Sequence, residues 1–299
     1  MKLPLTLILI LVLTLPLRGQ QKSETGIRHA IVVSGPKTFE INENDEIVWE
    51  YDGNSRDISK LPGGNYLITY AKEVKEISPD KKVVWVYQSE LNPEIMSAQR
   101  LADGKTLVTE LGEKPRLVEV DLQGKITREI PIQPETDNVH MQSRMSQKLT
   151  NGRYLVPHRL MPFAKEYNKR GKVMRTIRVD MPELGGTEAK NGTFEAVRLN
   201  NGSTVITCAS GNRLVVIDKK GAVEWQLTTA EIDGQLQDVC GLQVLKNGHF
   251  LVSCYGNQTA DGLKMMEITR DKKIVWTYQN PEAKYIHTLQ VLSTNGQAE

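Results

Sequence analysis

Cysteine is scarce in this chain of 299 residues: Cys208, Cys240 and Cys254 are all it has. An odd count at irregular spacing excludes a disulfide framework, and no paired CxxC or His/Cys spacing of the zinc type accompanies them. One alternative to three free thiols stays open, a bridge between Cys240 and Cys254 on the two arms of one hairpin. Aromatic residues are few as well, with 4 Trp and 4 Phe. A charge surplus is missing: 38 Lys and Arg stand against 36 Asp and Glu, which argues against a nucleic-acid binder. Beyond residue 17 no apolar run approaches the roughly 20 residues needed to cross a bilayer. No stretch reads as a long amphipathic helix. A folded core must therefore be built from short elements.

The exception to the missing apolar runs is the beginning. "MKLPLTLILILVLTLPLRG" has basic Lys2, an apolar stretch from Leu3 to Leu17, and small Gly19. This is the layout of a secretory signal peptide over 1–19, predicting export to a periplasmic or extracellular compartment without stable membrane insertion. Removing it deletes Lys2 and Arg18, leaving 36 basic and 36 acidic residues in a formally neutral mature chain, 20–299.

What the mature chain has in abundance is repetition. A Glu–apolar–polar step recurs at Glu40, Glu76, Glu119, Glu166 and Glu267, with Val216 in the Glu position of one copy; the intervals run 36, 43, 47, 50 and 51 residues. A second marker keeps phase with it: "LPGG" to Gly64, "LADG" to Gly104, "LTNG" to Gly152, "LNNG" to Gly202, "LKNG" to Gly248 and "LSTNG" to Gly296. Each unit resolves into four short strands, with a hairpin at the Asn-Gly or Asp-Gly, where both turn positions are expected at positive φ, and another at "DKK" or "KKG". Four strands per period of about 45 residues is the signature of a propeller blade. The chain ends on a first strand, "HTLQVL", and the mature part begins with a second, "AIVVSG". The prediction is an all-β, six-bladed β-propeller in a single domain, with one blade closed between the N- and C-terminal strands.

The repeat sorts residues by job. Trp49, Trp85, Trp225 and Trp276 share one position in the fourth strand, filled by Arg128 and Arg175 in the other copies, and a shared position implies packing between blades. Short hairpin links fall at one end of the strands. Long irregular links such as "PIQPETDNVHMQSR" and "DMPELGGTEAKNGTF" fall at the other, where ligand groups usually collect. Counting eight back from the hairpin glycines gives Arg56, Met96, Arg144, Phe194 and Cys240 at that end, with His287 at the matching place in the closing blade. Counting six forward gives Tyr70, Glu110, His158, Cys208 and Cys254. Arg144 and His158 are expected side by side below His140, and Arg56, Arg144 and His287 are expected to face the central channel. With the adjoining Asp57, Arg159, Glu195 and Asp238, they form a candidate mouth for an anionic small molecule, glycan or protein. Neither metal nor organic cofactor is expected, and no nucleic acid.

"LPGGNYLI" followed by "EISPDKKVVWVY" resembles the repeats of quinoprotein-like and arylsulfotransferase-like β-propellers, over essentially the whole mature chain. For a sulfotransferase of that kind, the resemblance implies channel histidines, one of them transiently sulfated. The usual His-Asp ahead of the turn stands here as Arg56-Asp57, leaving His287 and His140 as the histidines available for transferase or lyase chemistry. The leading expectation is a binding or scaffold module, with such an enzyme as the alternative.

Overall fold

The computed structural model describes residues 19–299; the leader up to residue 18 lies outside the described residues. Six antiparallel sheets stand around a central channel as six blades. Blade 1 takes its inner strand from the C-terminal region, Leu289–Thr294, and continues with His29–Val33, Lys37–Ile41 and Ile47–Asp52. Blade 2 runs Asp57–Lys60, Tyr66–Thr69, Glu73–Ile77 and Val83–Gln88; blade 3 runs Glu94–Arg100, Thr106–Leu111, Arg116–Val120 and Ile126–Pro131. Blade 4 is Gln147–Lys148, Tyr154–Pro157, Phe163–Tyr167 and Val173–Arg178; blade 5 is Thr193–Arg198, Thr204–Cys208, Arg213–Ile217 and Val223–Thr228. Blade 6 is Val239–Val244, Phe250–Cys254, Leu263–Ile268 and Ile274–Gln279.

The hairpins form as the turn residues dictate, with one correction. Leu61 N–H bonds to Asn65 O at 2.7 Å and Gly64 N–H to Leu61 O at 2.8 Å, and the same pair of bonds recurs at the later turns. Only the glycine is left-handed, φ +87° at Gly64 and +84° at Gly248, whereas Asn247 is not. This is a type I turn ending in a left-handed residue, which Pro62 fits, and not the doubly positive turn expected. Among the six hairpin markers only Asn295–Gly296, with φ 48° and 78°, has both residues positive.

The ring closes twice. The C-terminal strand Leu289–Thr294 pairs with His29–Val33, as the sequence predicts. The sequence pattern did not reveal a further strand, Gln20–Lys22, which pairs with Ile274–Gln279 and becomes the outer edge of blade 6. Its anchor is Gln21, whose side-chain amide donates to the carbonyls of His29 and Asn42 and accepts from His29 N–H and the Trp276 indole. One residue thus joins blade 6 to blade 1. Along the channel each inner strand also reaches the next. Asp57 accepts from Ala98 N–H, Gln99 from Lys148 N–H, Glu195 from Leu242 N–H, Gln243 from Val291 N–H and Gln290 from Lys60 N–H; Gln147 donates to Ala196 O. These six bonds run the full circle.

Between blades the repeated glutamates act as clamps. Glu40 binds Lys60 at 2.7 Å, Glu76 binds Arg100, Glu119 binds Lys148 at 2.6 Å, and Glu166 binds Arg198, each partner lying on the inner strand of the next blade. At the closing seam Glu267 takes buried His29, at 2.8 Å. The seam between blades 5 and 6 departs from the pattern on both sides. Val216 replaces the glutamate, Val244 stands where the cation would be, and the two share one apolar cluster. The tryptophans fill the same seams: Trp49 donates to Pro79 O and Trp225 to Arg270 O, in the outer turns of adjacent blades.

The seam between blades 5 and 6 provides a test. Val216→Glu alone buries a carboxylate without its cation and should cost roughly 3–5 kcal/mol. Adding Val244→Arg restores the pair found elsewhere and should recover much of that loss, read as a positive coupling in a double-mutant cycle of urea melts.

Candidate functional site

The long loops lie at the end of the blades opposite the turns, and they gather side chains over the channel mouth. Arg56 donates to Glu94 at 2.8 Å and to Ile95 O at 2.8 Å. Glu94 also takes His140 Nδ1, at 3.0 Å. Burial would raise the Glu94 carboxyl, but His140 and Arg56 outweigh it and hold it below its usual range. Across the mouth Arg159 bonds Ser210 Oγ at 2.7 Å and Asp238 at 3.3 Å.

Arg144 differs from these. Only 4% of it is exposed, and its guanidinium meets the carbonyls of His140 and Ser143 and the Met141 sulfur, but no carboxylate among the described residues. Its Nε–H is buried without a partner. Burial, then the nearby Arg159, pull its pKa down to about 9. The Phe194 ring lies beneath it, 5.6 Å from Cζ. Three guanidiniums therefore face two carboxylates, with the least compensated charge at the centre.

His287 stands on the same ring of residues. Its Nδ1 is 2.5 Å from the Arg56 carbonyl, so Nδ1 carries the proton and Nε2 the lone pair. Burial pulls its pKa down to about 4, so it is neutral at pH 7. Its ring meets the edge of Phe194 at 5.1 Å and Tyr255 at 5.9 Å; Tyr255 in turn packs on Tyr285 at 4.5 Å. This aromatic wall escapes a reading of the repeat, because Tyr255 and Tyr285 lie in loops outside it. Glu94 was missed too, although it occupies the start of an inner strand as its neighbours do.

Several expected members lie elsewhere. His158 is not hydrogen-bonded to Arg144, whose N–H bonds the preceding residue's carbonyl, Pro157 O. Its ring is buried inside blade 4 against Tyr167 and Phe163, where burial lowers its pKa to about 3. Strand alternation explains this: residues facing across a hairpin need not share a side with the loop residue before it. Asp57 and Glu195 point down the channel, whose cavity of about 650 Å³ extends to the turn end at Leu61, Pro62, Leu101 and Ala102. Burial raises Asp57 to about 6; burial and then the Asp57 charge raise Glu195 to about 8. Cys254 faces Val239 instead of Cys240 because a bulge shifts the register, and all three thiols are free. Met96, Leu111, Met145, Phe194, Ala209 and Cys240 form an apolar plug beneath the mouth.

No family model matches the chain, and no curated protein matches it by sequence. Solved structures do resemble it. A protein of unknown function from Bacteroides caccae is 22% identical, with a TM-score of 0.74 over 88% of this chain and 98% of that one. Virginiamycin B lyase from Staphylococcus aureus is 13% identical, with a TM-score of 0.60 over 87% of each chain. The WD40 β-propeller domain of Doa1 is 9% identical, with a TM-score of 0.56 over 87% of this chain and 85% of that one. The likeness is one of fold. At these identities the activity of a neighbour does not carry across.

The channel carboxyls set a pH dependence. An unfolded Glu195 ionises near 4.5, while the folded one holds its proton to about 8. Between these values the folded state binds more protons, so its stability falls as pH rises. Glu195→Gln should therefore gain melting temperature relative to the parent across pH 5 to 8, as read from melts in a buffer series. A constant difference would mean that Glu195 is ionised throughout.

Proposed function

We propose that the chain is an exported binding module that takes a small anionic ligand at the loop-side mouth of its channel. The observation that supports this reading is Arg144. A guanidinium this deeply buried, with no carboxylate and one unused N–H, is costly for folding. A cost of this kind is expected where a ligand supplies the missing charge. Arg56 and Arg159 add to the field, and both are held in place by carboxylates that leave one net positive charge among the five groups. Phe194 and the Tyr255–Tyr285 pair offer apolar surface for the body of such a ligand. Export rests on the leader sequence.

One observation favours a second reading, a transferase or lyase. His287 is neutral, its tautomer fixed by the Arg56 carbonyl, and its Nε2 is available as a base or nucleophile. The resemblance of the blades to arylsulfotransferase-like propellers supports the first of these activities. Binding is the better supported reading, because His287 Nδ1 is held by a backbone carbonyl and, among the described residues, by no carboxylate.

Arg144→Met tests the proposal. In a thermal-shift and calorimetric screen of carboxylated, phosphorylated and sulfated small molecules, affinity for the best binder should fall roughly ten- to a hundred-fold. The ligand-free melting temperature should stay the same or rise. A sharp drop in stability without change in affinity would make Arg144 structural. His287→Ala separates the two readings. A module loses modest affinity, whereas an enzyme loses turnover by orders of magnitude while still binding.

A further inference from the structure

We propose that a second oxyanion site lies on the loop face between blades 4 and 5, in a pocket of about 320 Å³ walled by Arg159, Leu160, Pro162, Thr187, Lys190 and Ser210. Its ligand is a small organic molecule with a phosphate or carboxylate head on a compact apolar body. The pocket is separate from the mouth: neither Arg144 nor His287 lines it, and Arg159 alone belongs to both.

The lining brings two cations and two hydroxyls together without a carboxylate. Leu160, 44% exposed, and Pro162 supply an apolar wall. The volume suits a small ligand, being at the lower end of the usual range of about 300–1,000 Å³. Arg159 is preset, its guanidinium held by Ser210 and Asp238. Gly192 is what allows the loop so close: a Cβ there would fall 2.3 Å from the Arg159 carbonyl and 3.1 Å from Nη1.

Lys190 is the second cation, exposed and without an ion pair among the described residues. It sits in the left-handed region, φ 49° and ψ 43°, an uncommon conformation for lysine that persists only where surroundings enforce it. The surroundings do so. Lys190 N–H bonds Thr187 O, and Gly192 N–H bonds Lys190 O at 2.7 Å. Next door, buried Asn191 donates to Val179 O at 2.7 Å and Leu184 O at 3.1 Å. The loop thus fixes the Lys190 backbone beside Arg159.

The test uses the mature chain and phenyl phosphate, with inorganic phosphate and benzyl alcohol as the head alone and the body alone. Calorimetry should show phenyl phosphate binding more tightly than either. Lys190→Asn removes the charge with a residue that tolerates the left-handed conformation, and Leu160→Asp puts a carboxylate on the exposed wall. Both variants should melt with the parent and weaken phenyl phosphate roughly ten-fold or more. Retention of binding in either variant overturns the proposal, as does absence of binding at millimolar concentration in the parent. Loss of binding in Arg144→Met with retention in Lys190→Asn assigns the ligand to the mouth and sinks the pocket while sparing the reading of the mouth.

Discussion

A glutamate in the third strand of five blades lies at a blade seam, and four of the five are almost wholly buried: Glu40, Glu119, Glu166 and Glu267 are each no more than 7% exposed. Such a carboxylate is tolerable only where its charge is answered. The answer comes from the next blade, as Lys60, Arg100, Lys148, Arg198 or His29. Each clamp fixes the rotation of one blade against its neighbour, and the angles must sum to a closed circle. Breaking one clamp strands a buried charge, whereas replacing both partners by apolar residues does not. The fifth seam shows the second case, with Val216 and Val244 packed together. The inner-strand bonds from Asp57 around to Gln290 repeat the constraint on the channel side.

Closure also explains the N-terminal strand. An uncovered outer edge is a place where strands of other molecules can add. Gln20–Lys22 covers that edge in blade 6, beside the seam where the two chain ends meet. Gln21 satisfies its entire amide there, and His29, bound to Glu267, lies against Trp276 at 4.8 Å between ring centroids. Burial raises the Glu267 carboxyl, yet His29 and His249 outweigh this and hold it below the usual range. That stabilisation is present above the ordinary carboxylate range and is lost as the pH falls through the folded value.

Much of this is legible in the sequence because repetition averages out local ambiguity. Six copies in phase identify the blades, the split blade and the end that carries the loops. The shared tryptophan position predicts packing between blades, whereas Glu40, Glu76, Glu119, Glu166 and Glu267 keep the phase of the repeat without showing that they lie at seams. Non-repeating features are harder to read. Gln20–Lys22 is too short to show a period. The five-residue form of the hairpin turn depends on one left-handed residue, and a bulge before Leu242 separates Cys254 from Cys240. His158 and Arg144 part because one faces the blade and the other the mouth. Gln99, Gln147, Gln243 and Gln290 do recur at corresponding places, but a glutamine facing a channel gives no sign of bonding the next blade until the ring is assembled.

The two ends of the channel differ in charge. Asp57 and Glu195 lie toward the turns, and Arg56, Arg144 and Arg159 lie toward the loops, with an apolar plug between them. A ring built on paired charges thus leaves buried Arg144 at the mouth without a carboxylate among the described residues, and the proposed function depends on it. Anomalous diffraction from crystals soaked in selenate addresses this most directly, since the anion is located by its own scattering. A selenate oxygen within hydrogen-bond distance of Arg144 Nε is the predicted result. An empty mouth in crystals whose surface lysines carry well-occupied selenate would contradict it.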